Sequence, residues 1–270
     1  MSKVWFITGS SRGLGRSFVE AALAAGDRVA ATARNPSDVE DLVGQYGDAV
    51  LPLALDVSDK AAVFGSVQQA AAYFGRLDVI VNNAGYGLSG AVEELEEQQL
   101  RDQLETNFFG PLWVVQAAIP ILREQGGGRI IQISSVAGLT GLPLGGAYCA
   151  SKWALEGLSE SLAQEVAPFG IKVTVVAPGG YATPGASGAA HAPGDPLYDD
   201  LREAFAAYAK TLDYGNPAAA AQALLKLATT EDPPLRLFFG AQGLPIIQQA
   251  YEDRLKTWST WQPLAEEAHG

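Results

Sequence analysis

The chain is poor in the residues that build disulfides and metal centres. Its 270 residues include one cysteine, one methionine and two histidines. The single cysteine, Cys149, excludes an internal disulfide, which fits a reducing environment. So few sulfur and imidazole ligands also argue against a metal site, because structural metal centres draw mainly on those side chains. The composition therefore predicts a cytoplasmic protein without a metal centre.

Basic residues are scarce as well. The chain has 18 Lys and Arg against 30 Asp and Glu, which gives a formal net charge of -12. A protein of this charge repels nucleic-acid phosphates, and no cluster of Lys and Arg offsets the repulsion. No apolar run reaches the ~18 residues of a membrane span. We therefore expect neither a nucleic-acid partner nor membrane insertion.

Short apolar segments alternate with helical patterns along the chain. The first of them, Val4 to Ile7, is apolar at every position, as expected for a strand that is buried on both faces of a parallel sheet. Seven such strands separated by helices predict one domain, residues 1–270, with a Rossmann-type, doubly wound α/β fold, a mostly parallel sheet and helices on both faces. The predicted strands are residues 4–7, 28–32, 49–55, 77–81, 129–133, 172–177 and 235–239.

Two predicted helices have unusual features. The helix from Asn107 to Leu122 contains Gly110-Pro111, where we expect a bend. Residues 241–270 form a C-terminal extension, in which a helix is predicted from Leu244 to about Trp258. The aromatic residues near its end are better suited to packing or subunit contacts than to chemistry.

The first strand leads into a glycine-rich turn and a helix. The turn reads Thr-Gly-Ser-Ser-Arg-Gly-Leu-Gly over residues 8–15. Gly9 permits a tight turn, Gly13 allows the backbone to approach a pyrophosphate, and Gly15 allows the helix to pack closely on the strand. The helix N-terminus then offers N–H groups to phosphates. Strand, glycine turn and helix together predict a dinucleotide site, against the alternative of an ordinary glycine-containing loop.

The end of the second strand indicates which dinucleotide binds. An acidic residue there would bind the 2′-hydroxyl of NAD, whereas arginine suits the 2′-phosphate of NADP. Ala33 occupies the expected acidic position, Arg34 follows it, and Arg12 lies in the glycine turn. These residues favour NADP, with NAD still possible; the alternative is that both arginines only face solvent.

Polar residues follow several of the other predicted strands. Asp56 could accept a hydrogen bond from an adenine amino group. Ser58 or Asp59 could equally have no role other than the N-cap of the next helix. The segment Asn82-Asn83-Ala84-Gly85 suits a brace between strands or a cofactor contact, and the sequence leaves both open. Residues 180–214 follow the sixth strand and predict a substrate lid, with a surface loop without a role as the alternative.

Tyr148 and Lys152 are four residues apart in a predicted helix, so they share one helix face. An ammonium group near a phenol favours the phenolate and brings tyrosine towards acid/base work near neutral pH. The pair alone is weak evidence, because this spacing occurs by chance in many solvated helices.

Taken together, these motifs resemble the short-chain dehydrogenase/reductase family, in its single-domain branch. The resemblance covers Lys3 to about Gly240. It depends on the order of the motifs along the chain. They are Thr8-Gly9-x-x-x-Gly13-x-Gly15, Asn82-Asn83-Ala84-Gly85, Asn107, Ser135, Tyr148-x-x-x-Lys152 and Pro178-Gly179.

The resemblance implies four catalytic residues. Tyr148 would be the general acid in carbonyl reduction, and Lys152 would lower its pKa and hold the nicotinamide ribose. Ser135 would hydrogen-bond the substrate oxygen, with Ser134 as the weaker choice. Asn107 would complete a water-linked proton path to Lys152. The cofactor-binding residues that the resemblance implies are Gly9, Ser11, Arg12, Gly13, Leu14, Arg34, Asp56, Val57, Asn83, Ala84, Gly85, Tyr148, Lys152, Pro178, Gly179, Tyr181 and Thr183.

The leading functional hypothesis is an NADP(H)-dependent carbonyl reductase or alcohol dehydrogenase that acts as a homodimer or homotetramer. Alternatives are an NAD-preferring alcohol or hydroxysteroid-type dehydrogenase, and a regulatory protein that binds NAD(P) without catalysis. A nicotinamide enzyme that epimerises or dehydrates a nucleotide-sugar is a third hypothesis, which the roughly 30 residues after Gly240 disfavour, because such enzymes usually carry a larger C-terminal substrate domain. A hydrophobic ketone or alcohol is expected as substrate, because apolar side chains would surround the pocket. They are Tyr86, Leu88, Leu142, Tyr181 and Phe205.

Overall fold

The computed structural model describes residues 2–183 and 190–269. The strands are β1 Val4–Ile7, β2 Arg28–Ala33, β3 Val50–Ala54, β4 Val79–Asn82, β5 Leu88–Ser89, β6 Gly128–Ile133, β7 Ile171–Pro178, β8 Ala190–His191 and β9 Arg236–Phe239. Seven of them form one parallel sheet in the order β3-β2-β1-β4-β6-β7-β9, and the two short strands β5 and β8 pair separately. This order places β1 in the interior with crossovers to both sides, which confirms the Rossmann-type prediction.

Helices cover both faces of the sheet, and alternate strand residues supply the two hydrophobic cores. In β1, Trp5 and Ile7 face one cluster, while Val4 and Phe6 face the other. All four side chains are buried, which explains why the strand is apolar at consecutive positions. The helices are α1 Gly13–Ala24, α2 Glu40–Tyr46, α3 Lys60–Phe74, α4 Glu97–Leu104, α5 Gly110–Glu124, α6 Gly146–Val166, α7 Asp199–Lys210, α8 Pro217–Thr229 and α9 Gly243–Glu267.

The region around Asn107 differs from the prediction of one helix with a bend at Gly110-Pro111. A π-helical turn, Glu105–Phe109, joins α4 to α5, and Gly110 begins the regular helix. Gly110 also lies close to Val57, whose side chain would be 3.0 Å from an added Cβ. The irregular turn lies before Pro111 in the chain, and it contains Asn107.

The predicted lid, residues 180–214, is only partly described, because residues 184–189 lie outside the described residues. On its C-terminal side, β8 pairs with β5, and the Ala190 N–H donates to the Gly87 carbonyl at 2.9 Å. Arg202 of α7 forms an ion pair with Glu94. The sequence did not predict the two short strands, since two residues are too few to establish a period. Among the described residues, no helix combines the length and apolar character needed to cross a membrane.

Gly15 sets the packing distance between α1 and β1. A Cβ at this position would lie 2.2 Å from the Gly9 carbonyl oxygen and 2.3 Å from Asn83 Nδ2. Neither group can move freely, because the Asn83 amide donates to the carbonyls of Thr8 and Gly9. The sequence-based role of Gly15 in close helix–strand packing thus has a direct geometric cause.

We expect Gly15→Ala to destabilise the protein by about 1–3 kcal/mol, because the methyl group would overpack this contact. The measurement is urea unfolding at constant m-value. Gly65→Ala is the matched control: Gly65 is an exposed residue of α3 with nothing within 4 Å of its Cβ position. It should be neutral or stabilising by up to ~1 kcal/mol. Equal effects of the two substitutions would contradict this assignment.

Candidate active site

A cavity of about 410 Å³ opens at the carboxyl edge of the sheet, where ligands bind in folds of this kind. The ends of β1, β4, β6 and β7 contribute to it, and the N-terminal part of α6 closes one side. Most of the predicted site residues meet here. They are Gly9, Arg12, Gly13, Leu14, Asn83, Ala84, Gly85, Ser135, Tyr148, Lys152, Pro178, Gly179, Tyr181 and Thr183.

The glycine turn is held by the end of β4. Gly9 and Gly13 have φ angles of 69° and 62°, in the left-handed region that favours glycine. The N–H groups of Asn83 and Ala84 both donate to Thr8 Oγ1 at 3.0 Å. Asn83 Nδ2 in turn donates to the Thr8 carbonyl at 2.9 Å. Asn83 is therefore a brace between β1 and β4, and it also lines the cavity.

The N-terminus of α1 faces this turn without a side-chain cap. Arg12 occupies the N-cap position in an extended conformation and makes no capping hydrogen bond, and the first turn of α1 contains no acidic residue. The N–H groups of the first turn and the positive end of the helix dipole are thus not compensated locally. Both favour an anion such as a pyrophosphate.

A second cavity, of about 550 Å³, continues from Gly9 towards the end of β2. Ser11, Arg34, Asp56 and Val57, all predicted cofactor-binding residues, line it. Ala33 is 3% exposed and supplies no acid. A smaller recess brings Ser11, Arg12 and Arg34 together with Asp38. The sequence analysis missed Asp38, because it lies in a 3₁₀ turn four residues after Arg34 and belongs to no motif.

The Asp56 carboxylate accepts two hydrogen bonds from Ser58 in a local turn. Its Oδ1 accepts from the Ser58 N–H at 2.9 Å and from Ser58 Oγ at 2.6 Å. These bonds hold the pKa of the carboxyl below its ordinary value, with Arg34 adding to the effect and burial opposing it. The helix cap is a different residue: Asp59 Oδ1 accepts from the Ala62 N–H at 3.0 Å and caps α3. Contact of Asp56 with an adenine stays a prediction.

Tyr148 and Lys152 lie together on α6, as their spacing predicts. Lys152 is buried, and its Nζ donates to the Ile133 carbonyl at the end of β6 at 2.8 Å. The ammonium nitrogen is 5.8 Å from the centroid of the Tyr148 ring. Ser135 follows β6, and its Oγ accepts from the Ala137 N–H at 3.1 Å. Ser134 also lines the cavity.

The lowering of the Tyr148 pKa by Lys152 stays a prediction. In the protein alone, burial raises the pKa of the phenol, against a smaller lowering by the Ser135 hydroxyl. Burial also lowers the pKa of Lys152 to about 8, against the attraction of Glu156. The physical reason is the same for both groups, since burial disfavours the charged form of each. Tyr148 in the protein alone is therefore a protonated phenol at neutral pH.

Asn107 lies in the π-helical turn and holds the backbone of Tyr86. Its Oδ1 accepts from the Tyr86 N–H at 3.0 Å, and its Nδ2 donates to the Tyr86 carbonyl at 2.9 Å and to Ser151 Oγ at 3.0 Å. A Cβ on Gly85 would lie 3.0 Å from Asn107 Oδ1 and 3.6 Å from Lys152 Nζ. Asn107 is thus a satisfied buried amide next to Lys152, and the water-linked proton path stays a prediction.

Several residues at the site carried no sequence signal. Thr8 belongs to the glycine motif without a predicted role of its own, and Ser151, which accepts from Asn107 Nδ2, is part of no motif. Tyr214 lines the cavity, and its ring lies 3.0 Å from the Cβ position of Gly180. Of the five predicted apolar pocket residues, Tyr86 and Tyr181 line the cavity. Leu88 is buried in β5, and Leu142 and Phe205 are not among the described residues that line it.

Glu156 extends the site along α6, one turn beyond Lys152. It is 4% exposed, and its Oε2 accepts from Arg236 Nε at 2.8 Å. Arg236 Nη2 also lies 3.5 Å from Glu160, which is at the surface. The buried Glu156 carboxylate therefore pairs with a guanidinium of β9 and also favours the charged form of Lys152.

We expect Glu156→Gln to lower the pKa of Lys152 further below its value of about 8. The neutral amide no longer favours the ammonium, so the proton leaves at a lower pH. The measurement is an NMR titration of isotopically labelled lysine side chains. Glu160→Gln is the control, because Glu160 also contacts Arg236 but is exposed; it should leave the titration unchanged. A Lys152 titration that is the same in both variants would refute the role of Glu156.

The sequence of this chain is similar to those of known oxidoreductases. The family model described as short chain dehydrogenase matches residues 3–193. An oxidoreductase of Botryotinia fuckeliana, BOA17, is 41% identical over 98% of each chain. A protein of Bacteroides thetaiotaomicron named 3-ketodihydrosphingosine reductase is 34% identical over 95% of this chain and 93% of its own.

The solved structures that resemble this fold are also short-chain dehydrogenases and reductases. A short-chain dehydrogenase from Streptomyces avermitilis superposes with a TM-score of 0.93 at 39% identity, over 99% of this chain and 98% of that chain. A short chain dehydrogenase from Burkholderia cenocepacia, solved with NADP, has a TM-score of 0.75 at 26% identity and covers 96% and 97%. A 3-ketoacyl-(acyl-carrier-protein) reductase from Brucella melitensis, solved with NADH, has a TM-score of 0.74 at 26% identity and covers 88% and 97%.

Proposed function

This chain belongs to the short-chain dehydrogenase family, and on that premise we propose that it interconverts a ketone or aldehyde and the corresponding alcohol with NADP(H). One observation carries the proposal. Ser135, Tyr148 and Lys152 line the same cavity as the glycine turn of the dinucleotide site. A regulatory protein that only bound the cofactor would need the glycine turn, but it would not need a buried phenol and ammonium beside it.

The bound cofactor would supply a hydride to the carbonyl carbon. As that bond forms, negative charge develops on the carbonyl oxygen, and Ser135 and Tyr148 are the two hydroxyl donors that could stabilise it. Tyr148 then transfers its proton to the oxygen, which leaves the alcohol and a phenolate. The raised pKa of Tyr148 keeps the phenol protonated beforehand, as the acid of a reduction requires. Lys152 would stabilise the phenolate and help return the proton.

The preference for NADP(H) depends on the recess at Ser11, Arg12 and Arg34. Two guanidinium groups suit the negative charge of a 2′-phosphate. The end of β2 carries Ala33 where an acidic residue would bind the ribose 2′-hydroxyl of NAD. NAD(H) is the second candidate, because Asp38 lines the same recess and a carboxylate there would suit ribose hydroxyls. The solved relatives with NADP and with NADH are compatible with either cofactor.

A hydrophobic carbonyl compound is the substrate class that we favour. Tyr86, Tyr181 and Tyr214 border the cavity next to Tyr148, and no Lys or Arg of the described lining other than Arg12 and Lys152 is present to pair with a charged substrate. The Bacteroides relative is named 3-ketodihydrosphingosine reductase, and a keto substrate of that protein supports the choice of a carbonyl compound. Homo-oligomerisation and a cytoplasmic location stay predictions that these observations do not test.

We expect Tyr148→Phe to lower turnover of a hydrophobic ketone by about 10²–10⁴-fold, because the general acid is removed. NADPH binding, followed by cofactor fluorescence, should persist. Tyr73→Phe is the control, since Tyr73 is a half-exposed residue of α3, and it should retain wild-type turnover. Near-normal activity of the Tyr148 variant would rule out the mechanism.

We expect Arg34→Asp to reduce the ratio of kcat/KM for NADPH to kcat/KM for NADH by about tenfold or more, the value of a lost charge-assisted hydrogen bond to phosphate. Asp38→Asn removes a negative charge from the same recess, so it should raise the ratio. The measurement is steady-state kinetics with both cofactors at fixed ionic strength. An unchanged ratio in both variants would show that this recess does not receive the 2′-phosphate.

A further inference from the structure

Gly90, which directly follows β5, contacts two other segments of the chain. Its N–H donates to the Leu144 carbonyl at 2.8 Å, and it forms an isolated parallel bridge with Gly145. A Cβ at Gly90 would also lie 2.5 Å from the Cβ of Ala192. Gly90 therefore joins the residues that follow β8 to the residues that precede α6.

Residues 190–192, which we call the β8 segment, are held on β5 by hydrogen bonds. β8 pairs with β5 in parallel, and the Ala192 N–H donates to the Ser89 carbonyl at 2.8 Å. Two non-bonded carbon atoms in ordinary contact lie about 3.5–4.0 Å apart, so a side chain at position 90 would overlap the Ala192 methyl group in this register. Glycine at position 90 therefore lets the β8 segment approach β5 closely enough to pair with it.

Leu144 is held in a backbone conformation that its side chain disfavours. Its φ angle is 61°, and among the residues that the structure describes it is the one non-glycine residue with a positive φ. Such a conformation is uncommon for a branched side chain and persists where the surrounding contacts impose it. Two such contacts are present, since Leu144 is buried and its carbonyl accepts the Gly90 N–H. Gly90 therefore helps to fix the path of the chain at Leu144.

The chain continues from this point directly into α6 and Tyr148. Gly145 is the N-cap of α6, and its carbonyl accepts the Cys149 N–H at 2.8 Å. A Cβ at Gly146 would lie 3.1 Å from Cγ2 of Val92, so the first residue of α6 also packs on the chain that follows β5. The first turn of α6, which carries Tyr148, is thus placed against the β5 segment through two adjacent contacts.

We propose that Gly90 is a positioning residue for Tyr148. The β8 segment packs on Gly90, Gly90 holds Leu144, and the first turn of α6 follows, so the packing of the β8 segment determines where the phenol lies in the cavity. The residues of the β8 segment are not among the described lining of that cavity, and they therefore act through Tyr148. The catalytic consequence rests on the proposed carbonyl reduction, whereas the placement of Tyr148 can be measured without turnover.

The first test follows the Tyr148 ring by NMR of the full chain with isotopically labelled tyrosine, with the signal assigned by Tyr148→Phe. Gly90→Ala should shift the Tyr148 signal, because the new methyl group needs about 1 Å more room at Ala192. Ala192→Gly is the matched control and should keep the wild-type signal. The double variant Gly90→Ala/Ala192→Gly removes the overlap and should restore that signal. An unshifted signal in Gly90→Ala, or a shift that the double variant retains, would overturn the proposal.

Ala192→Pro is a second variant, which acts on the same contact without an overlap at Gly90. Proline has no N–H, so the substitution removes the hydrogen bond to the Ser89 carbonyl and releases the β8 segment from β5. Residues 190–191 are exposed, so the protein should stay folded, which circular dichroism verifies for every variant. The Tyr148 signal should shift here too. A wild-type signal would show that the β8 segment does not position the phenol, and the proposal would be wrong.

The second test measures the consequence for catalysis with NADPH and a hydrophobic ketone. Gly90→Ala should lower kcat/KM by roughly 10–10²-fold, because a displacement on the order of 1 Å misaligns the acid. NADPH binding, followed by cofactor fluorescence, should persist, and the double variant should regain the wild-type kcat/KM. Full activity of Gly90→Ala would overturn the proposal. If wild type reduces no ketone while the Tyr148 signal follows the expected pattern, the proposed function fails and the positioning of Tyr148 by Gly90 stands.

Discussion

Burial of the Lys152 ammonium beneath the carboxyl edge of the sheet is the constraint on which the site depends. The nitrogen donates to the Ile133 carbonyl at the end of β6, and its side chain reaches that point from α6. The pairing of β6 with β4 and β7 fixes the acceptor, and the close approach at Gly85 leaves room for Asn107 on the other side. Tyr148, one turn earlier on the same helix, is placed by the same contact. A shift of α6 would therefore move the phenol and the ammonium together.

The same burial determines what the pair can do. A buried ammonium with a pKa of about 8 and a phenol with a raised pKa are both mostly protonated at neutral pH. Glu156 and Arg236 extend this arrangement by an ion pair in which the carboxylate is buried and the guanidinium is partly exposed. Removal of the Arg236 guanidinium would leave the Glu156 carboxylate buried without its ion-pair partner, which is more costly than the pair itself. The polar residues of α6 and β9 are thus part of the electrostatics of the cavity.

The sequence was sufficient to predict the features that repeat or that depend on residue type. Consecutive apolar residues predicted β1, and the glycine spacing predicted the turn at Gly9 and Gly13. The burial of Tyr148, which raises the pKa of its phenol, was not predicted, because a motif states which groups are neighbours but not how far each is removed from water. Asp38 was missed because its place in the site comes from tertiary packing, and Tyr214 was predicted only as the last residue of the lid. The π-helical turn at Asn107 was also missed, since no local residue pattern distinguishes it from a bend at the following proline.

The most direct test of the proposed carbonyl reduction traces the transferred hydride with deuterium. NADPH deuterated at C4 is incubated with the protein and a hydrophobic ketone, and the alcohol product is analysed by NMR. The account predicts one deuterium on the carbinol carbon from one of the two C4 diastereomers of the cofactor, with the hydroxyl proton drawn from solvent through Tyr148. An alcohol without deuterium from either diastereomer, or no alcohol from any ketone tested, would contradict it.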